Sequence, residues 1–260
     1  LITWGPPSNG LCMQTCEPRN TLNSEPMSSL DLLIFDCDGV LIDSEPIAAR
    51  TLAHAITQAG MEMTPRQVLV EFTGKSEADL RRILANRIRA DLDSVFAGWH
   101  AEIFAAFRRD LLPMEGISAV LDGLDVAKCV ASNSTVERLR KSLGLLDLWS
   151  HFAPNIFSAE MVAAPKPAPD LIRFCLSKMN ASSARSIVID DSAAGIQAAV
   201  AAGVPAIGFV APNDPRSGRR EALFAAGAEE VVLGAKELLH VLCRRVGNQH
   251  PARQSVEVGA

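Results

Sequence analysis

Asp36, Cys37, Asp38 and Gly39 follow the apolar run Leu32-Leu33-Ile34-Phe35. An apolar segment that ends abruptly in carboxylates and a glycine reads as a buried parallel strand whose C-terminal end opens into a site. On an extended backbone residues i and i+2 share a side, so Asp36 and Asp38 can face one pocket while Gly39 lets the chain turn past it. Such a pair can divide a reaction, one carboxylate attacking while its neighbour shuttles a proton. It can equally cap a turn and do no chemistry. A calcium loop does not fit, because its sixth position requires glycine and Leu41 stands there.

Other apolar runs end in comparable groups. The run through Val130 closes on Ala131-Ser132-Asn133-Ser134, a hydroxyl, an amide and the free N–H groups of a helix start, which suit phosphoryl oxygens or simply a satisfied N-cap. Lys166 lies in a loop fixed by Pro165, Pro167 and Pro169, which lowers the cost of holding a cation in place; a solvated loop lysine is the plain alternative. The run from Ser186 ends in Asp190-Asp191-Ser192. Adjacent carboxylates repel unless a cation lies between them or solvent screens them, and a hard divalent ion that also takes an oxygen from Asp36 answers that repulsion. Together with Lys166, it would lower the barrier between an anionic nucleophile and an anionic phosphoryl group.

Positioning these groups requires a sheet. From Gly116 onward short apolar strands, near 127–131, 155–158, 186–190, 205–210 and 229–233, alternate with helices near 134–144, 168–179, 192–202, 217–226 and 235–245. Strands this short and apolar indicate an α/β fold, a doubly wound parallel sheet covered on both faces, with ligands at its carboxyl edge. Residues 47–113 instead carry helical periodicity, four or five helices in all. Ser44 is placed as N-cap and Pro46 in the first turn of one that runs to about Ala59; others open at Thr64-Pro65 and Ser76, and a fourth spans 92–109. The expected organisation is a core of 30–46 and 114–246, a helical domain of 47–113 inserted into it, and loose ends at 1–29 and 247–260. Met27 is a candidate native start, which would put residues 1–26 outside the native chain.

The chain has 260 residues, 48% hydrophobic and 21% charged, with a formal net charge of -5. That size buries a substantial core, and the acidic balance argues against nucleic acid or an anionic membrane as partner. No apolar run reaches the roughly 20 residues that span a bilayer. Cys37, Cys129 and Cys175 sit in apolar contexts as reduced core thiols, in keeping with a cytoplasmic location, and Cys12 and Cys16 make no plausible zinc site. His54, His100, His151 and His240 lack ligand-like spacing. Thr73-Gly74-Lys75-Ser76 is not a P-loop, since Leu69 stands where one needs glycine.

Taken jointly, Asp36-Cys37-Asp38-Gly39-Val40, then Ser132-Asn133, Lys166-Pro167 and Asp190-Asp191-Ser192 resemble the motifs of the haloacid dehalogenase-like hydrolase superfamily, in order, over about residues 30–245. The resemblance implies a Rossmann-like core with a helical cap domain that helps select substrate. It implies Asp36 as the nucleophile that forms an aspartyl-phosphate, and Asp38 as the acid that protonates the leaving alcohol and then, as base, activates water. Ser132 and Asn133 match the phosphoryl-binding groups and Lys166 the stabilising cation. Asp190 and Asp191, with the Asp36 carboxylate and the Asp38 backbone carbonyl, match a Mg2+ site. Gly74 and Lys75 match the substrate-specificity loop of the cap. Asp38 is similar to the phosphoryl-transfer branches, whereas the dehalogenases carry a non-acidic residue there. The sugar-phosphate phosphatase branch is the most similar. The beta-phosphoglucomutase branch carries a histidine where Ala48 stands and a cap arginine near Glu77. A Mg2+-dependent phosphatase of a small phosphorylated sugar or sugar acid, monomeric or weakly self-associating, is therefore the expectation, with a phosphomutase and a dehalogenase as alternatives.

Overall fold

The computed structural model describes residues 30–73, 75 and 77–247; the expectations for 1–29, for Gly74 and for the tail beyond 247 lie outside them. Six parallel strands, β1 (Leu32–Phe35), β2 (Ala127–Ser132), β3 (Ile156–Ser158), β4 (Ser186–Asp190), β5 (Ala206–Val210) and β6 (Glu230–Leu233), form one sheet in the order β3-β2-β1-β4-β5-β6. β1 is central because its four residues are buried on both faces. Leu33 and Phe35 enter one apolar cluster, Leu32 and Ile34 the other. Chain order reverses on either side of β1, so the crevice for ligands opens where β1, β2 and β4 end side by side.

The first of these clusters is continuous with the buried residues of the insertion, whose helices are α1 (Glu45–Gln58), α2 (Pro65–Phe72), α3 (Glu77–Ala85) and α4 (Leu92–Asp110). The chain enters and leaves it through adjacent segments: the Asp43 amide donates to the Leu112 carbonyl, and that of Met114 to Leu41. α1 and α4 are joined by Trp99 Nε1 donating to Thr51 Oγ1 at 3.0 Å. Ion pairs such as His54–Glu102, Arg81–Glu77 and Arg87–Glu71 sit on the insertion's exposed sides. Such exposed pairs are screened by solvent and add little, whereas a buried Phe or Ile contributes about 1.5–3 kcal/mol, so the shared apolar core of Ile56, Leu84, Phe96 and Phe107 decides its stability.

The remaining helices are α5 (Ile117–Asp122), α6 (Val136–Gly144), α7 (Trp149–Phe152), α8 (Asp170–Met179), α9 (Ala193–Ala201), α10 (Arg219–Ala225) and α11 (Gly234–Gly247). α5 and α7 are additions to the sequence-based expectation. Neither has a side-chain cap, and each is too short to show a helical period. α11 runs to Gly247, past the expected end. Among the described residues no helix is long and apolar enough to cross a membrane. Cys37, Cys129 and Cys175 are free and buried.

Candidate active site

The Asp36 amide donates to the Ile189 carbonyl at 2.9 Å, so β4 holds the end of β1 in register with its own. The Asp36 side chain then meets Lys166, which is only 6% exposed; its Nζ lies 2.7 Å from Asp36 Oδ1 and 2.7 Å from Asp190 Oδ2. Asp190, wholly buried, also accepts from the amide and hydroxyl of Ser192 through Oδ1. Three of its four lone-pair sites are thereby used, which fixes the lysine more than it frees an acid. Room for it exists because residue 195 is glycine: a Cβ there would fall 1.8 Å from Asp190 Oδ2.

Asp191 is buried beside them. Gly39, at φ +81°, passes so close that a Cβ would meet Asp191 Oδ2 at 2.9 Å. On its other side Arg219 reaches Asp191 Oδ2 at 3.1 Å and, with Arg216, grips Asp214; Arg216 also pairs with Glu45 at 2.7 Å. One oxygen each from Asp36, Asp190 and Asp191 lies within 4.8 Å of the others. Burial pushes the Asp36 carboxyl up to about 7, the Lys166 ammonium opposing and the Asp190 charge reinforcing it. Burial likewise raises Asp191 far above the carboxylate range, with Glu45, Asp190 and Asp36 adding to the effect and Arg219 resisting it. An all-oxygen cluster short of positive charge fits a hard divalent cation such as Mg2+.

Asp38 faces a different environment. The chain turns directly after it: Asp38 bridges to Ile42, Gly39 has a positive φ, and the amides of Leu41 and Ile42 both donate to the Cys37 carbonyl. Asp38 Oδ1 accepts from Ser44 Oγ at 2.5 Å and Arg138 Nη2 at 2.8 Å, and Oδ2 accepts from Ser134 Oγ at 2.7 Å. Burial works to raise this carboxyl, but the Arg138 charge and the three donors together hold it below the usual range. Ser44 does occupy the N-cap position of α1, but with helical backbone angles (φ -87°, ψ -23°) rather than the extended ones of a cap; its side chain makes no cap bond, and its hydroxyl donates to Asp38.

Ser132, buried at the end of β2, accepts from the Ser134 amide at 3.1 Å and keeps its own proton to donate. The Asn133 side chain, expected beside the phosphoryl group, also holds Lys166. Its Nδ2 donates to the Lys166 carbonyl at 3.1 Å and its Oδ1 accepts from the Lys166 amide at 3.0 Å, so both ends of the amide clamp the lysine's backbone. The Lys166–Pro167 peptide is cis. Lys75 is exposed between α2 and α3. Glu77 is engaged by Arg81 and His100, and His54 by Glu102.

The sequence reading omitted Ser44's tie to Asp38, Ser134's role, Arg138, Arg216 and Arg219. For Arg138 a signal exists: it precedes Ser142 by one turn beside the buried Leu139 and Leu143, placing a charge on the apolar stripe of α6.

The chain is also similar to known proteins. The sequence profile of a family described as haloacid dehalogenase-like hydrolase matches residues 33–209. The 6-phosphogluconate phosphatase of Escherichia coli K12 is 30% identical over 193 residues, covering 74% of this chain and 86% of that protein. A haloacid dehalogenase-like protein of unknown function from Agrobacterium tumefaciens C58 superimposes with a TM-score of 0.75 at 32% identity, covering 83% of this chain and 98% of the other. A HAD family hydrolase from Deinococcus radiodurans R1, solved with phosphate and sodium bound, gives a TM-score of 0.73 at 27% identity, covering 86% and 99%.

Proposed function

Because the chain belongs to the haloacid dehalogenase-like hydrolase family, we propose that it is a Mg2+-dependent phosphatase acting on a small phosphorylated sugar or sugar acid through an aspartyl-phosphate on Asp36. One observation carries this reading: Lys166 ties Asp36 to Asp190 beside Asp191, while Asp38, at the same strand end, is held by a separate set of donors. The family resemblance supplies the phosphoryl chemistry, and the phosphatase named among the relatives supplies the substrate class.

Lys166 holds Asp36 Oδ1, which leaves Oδ2 to attack the phosphorus. As that bond forms, the bond from phosphorus to the sugar oxygen breaks and Asp38 gives its proton to the departing alkoxide. The Ser132 hydroxyl donates to a phosphoryl oxygen, and Lys166 offsets the charge where nucleophile and phosphate meet. In the second half Asp38 takes a proton from water, the water oxygen bonds to phosphorus and the bond to Asp36 breaks, releasing phosphate. Asp36, Asp190 and Asp191, with the Asp38 carbonyl, would hold Mg2+, which when bound supplies the positive charge that the carboxylate cluster lacks. The helices of 47–113 serve as the cap that selects the alcohol.

A phosphate-release screen over sugar phosphates, 6-phosphogluconate and phosphoglycolate, with Mg2+ or EDTA, tests the proposal. Release that requires Mg2+ is expected. No release from any ester would overturn the phosphatase reading, isomerised sugar phosphate without free phosphate would make the protein a mutase, and halide release in EDTA would make it a dehalogenase.

A further inference from the structure

The lone pairs of Asp38 are unevenly spent. A carboxylate oxygen accepts about two hydrogen bonds in its plane. Oδ1 already takes Ser44 Oγ and Arg138 Nη2, so it is full; Oδ2 takes only Ser134 Oγ and keeps one site. Arg138 makes this bond from α6, 100 residues away in sequence, at an evident cost, since its Nε is buried with no hydrogen-bond partner among the described residues. A surface ion pair that only stapled α6 to the turn after β1 would not require a buried, unpaired donor. The guanidinium is also braced from the insertion: its carbon lies 5.1 Å from the centroid of the Phe107 ring on α4. A lysine could supply the charge but neither the planar fork nor the stack.

We propose that Arg138 is a positioning residue for proton transfer. By filling Oδ1 together with Ser44, it leaves Oδ2 as the oxygen of Asp38 that gives a proton to the leaving alkoxide and later takes one from water, and Phe107 sets where the guanidinium rests. This rests on the phosphatase reading and adds to it which oxygen works and what aims it. It also ties that oxygen to the helical insertion, so that a shift of α4 moves the acid as well as the wall of the site.

Leaving groups separate this role from a structural one. A sugar alkoxide needs its proton as the ester bond breaks, whereas p-nitrophenolate leaves with little help. In the full-length protein, Arg138→Met should lower kcat/KM for the alkyl phosphate identified in the screen by roughly 10²-fold, the lower end of what a positioned acid contributes, and for p-nitrophenyl phosphate by less than about 10-fold. Arg138→Lys should show the same split, and Phe107→Leu a smaller one in the same sense. In Arg138→Gly, free guanidinium should restore part of the alkyl-ester rate. Equal losses on both esters in a variant with wild-type near-UV dichroism, or no response to guanidinium, would overturn the assignment. If Arg138→Met does not fold, the two-ester ratio in Arg138→Lys decides. A wild-type chain that hydrolyses neither ester with Mg2+ sinks the phosphatase reading and this assignment with it; an active wild type with equal variant losses sinks the assignment alone.

Discussion

Asp36 and Asp38 leave the same strand two residues apart, and their surroundings push them in opposite directions. Asp36 shares one ammonium with Asp190, faces Asp191, and has its carboxyl raised to about 7. Asp38 collects Arg138 and two hydroxyls and is lowered. Identical side chains acquire different electrostatics from their neighbours alone, which suits the different tasks proposed for them. The Asp36 side lacks positive charge, which a cation would bring; the Asp38 side is complete without one. An ionised Asp38 suits the step that takes a proton from water. In the proposed mechanism an arriving phosphate dianion would raise its proton affinity by like-charge repulsion and so load it as an acid for the first step.

Removing the nucleophile breaks the comparison most severely. Asp36→Asn should lower phosphate release by roughly 10⁴-fold or more, the scale on which hydrolases lose a covalent nucleophile, with a folded protein by dichroism. Turnover near the wild-type rate would show that the chemistry does not pass through Asp36.

The Asp38 side should fail differently. Asp38→Asn is expected to slow turnover of the sugar phosphate by roughly 10²- to 10⁴-fold. Because the second half of the reaction also loses its base, intact-mass measurement after mixing with p-nitrophenyl phosphate and Mg2+ should show a phosphoryl adduct on Asp36 that the wild type does not accumulate. A wild-type rate would remove Asp38 from proton transfer and leave its three donors without a catalytic purpose.

The two sides were not equally legible. β1 and β4 are recognisable because strands buried on both faces are written as unbroken apolar runs, and Asp36, Asp190 and Asp191 are recognisable because they end those runs. Lys166 is marked by its prolines. Arg138 lies 100 residues from its partner, on a helix whose period says only that a charge has been put on the wrong face. Arg216 and Arg219 follow β5 in a stretch with no motif, yet one reaches Glu45 and the other Asp191. A strand-end amide such as Asn133 suits a phosphoryl oxygen; that it also clamps the Lys166 backbone depends on a loop arriving from 33 residues further on. Local pattern thus reveals groups on their own strand ends. The groups that aim them arrive from elsewhere and surface only when the chain is folded.

The smallest expected effect tests the charge deficit itself, through stability and without substrate. Asp36 titrates near 3.8 when unfolded and near 7 when folded, and Asp191 is displaced the same way. Between those values the native state binds more protons than the unfolded state, so stability must fall as pH rises through the window. Asp38 has the opposite sign: its contribution is present above its unfolded value and is lost only as pH falls through the lower folded one, so it stays constant from pH 5 to 8. In EDTA the melting temperature should therefore decline from pH 5 to 8, by roughly 2–4 °C for each kcal/mol lost in a chain of this size. Asp36→Asn should flatten the decline, since an amide does not titrate. Mg2+ added at pH 8 should recover the loss, because a ligand of the native state at 100 times its dissociation constant stabilises by about 2.7 kcal/mol. A flat profile in EDTA, with no response to Mg2+, would mean that Lys166 and Arg219 already balance the Asp36 side and that the two carboxylates of β1 differ in position but not in charge.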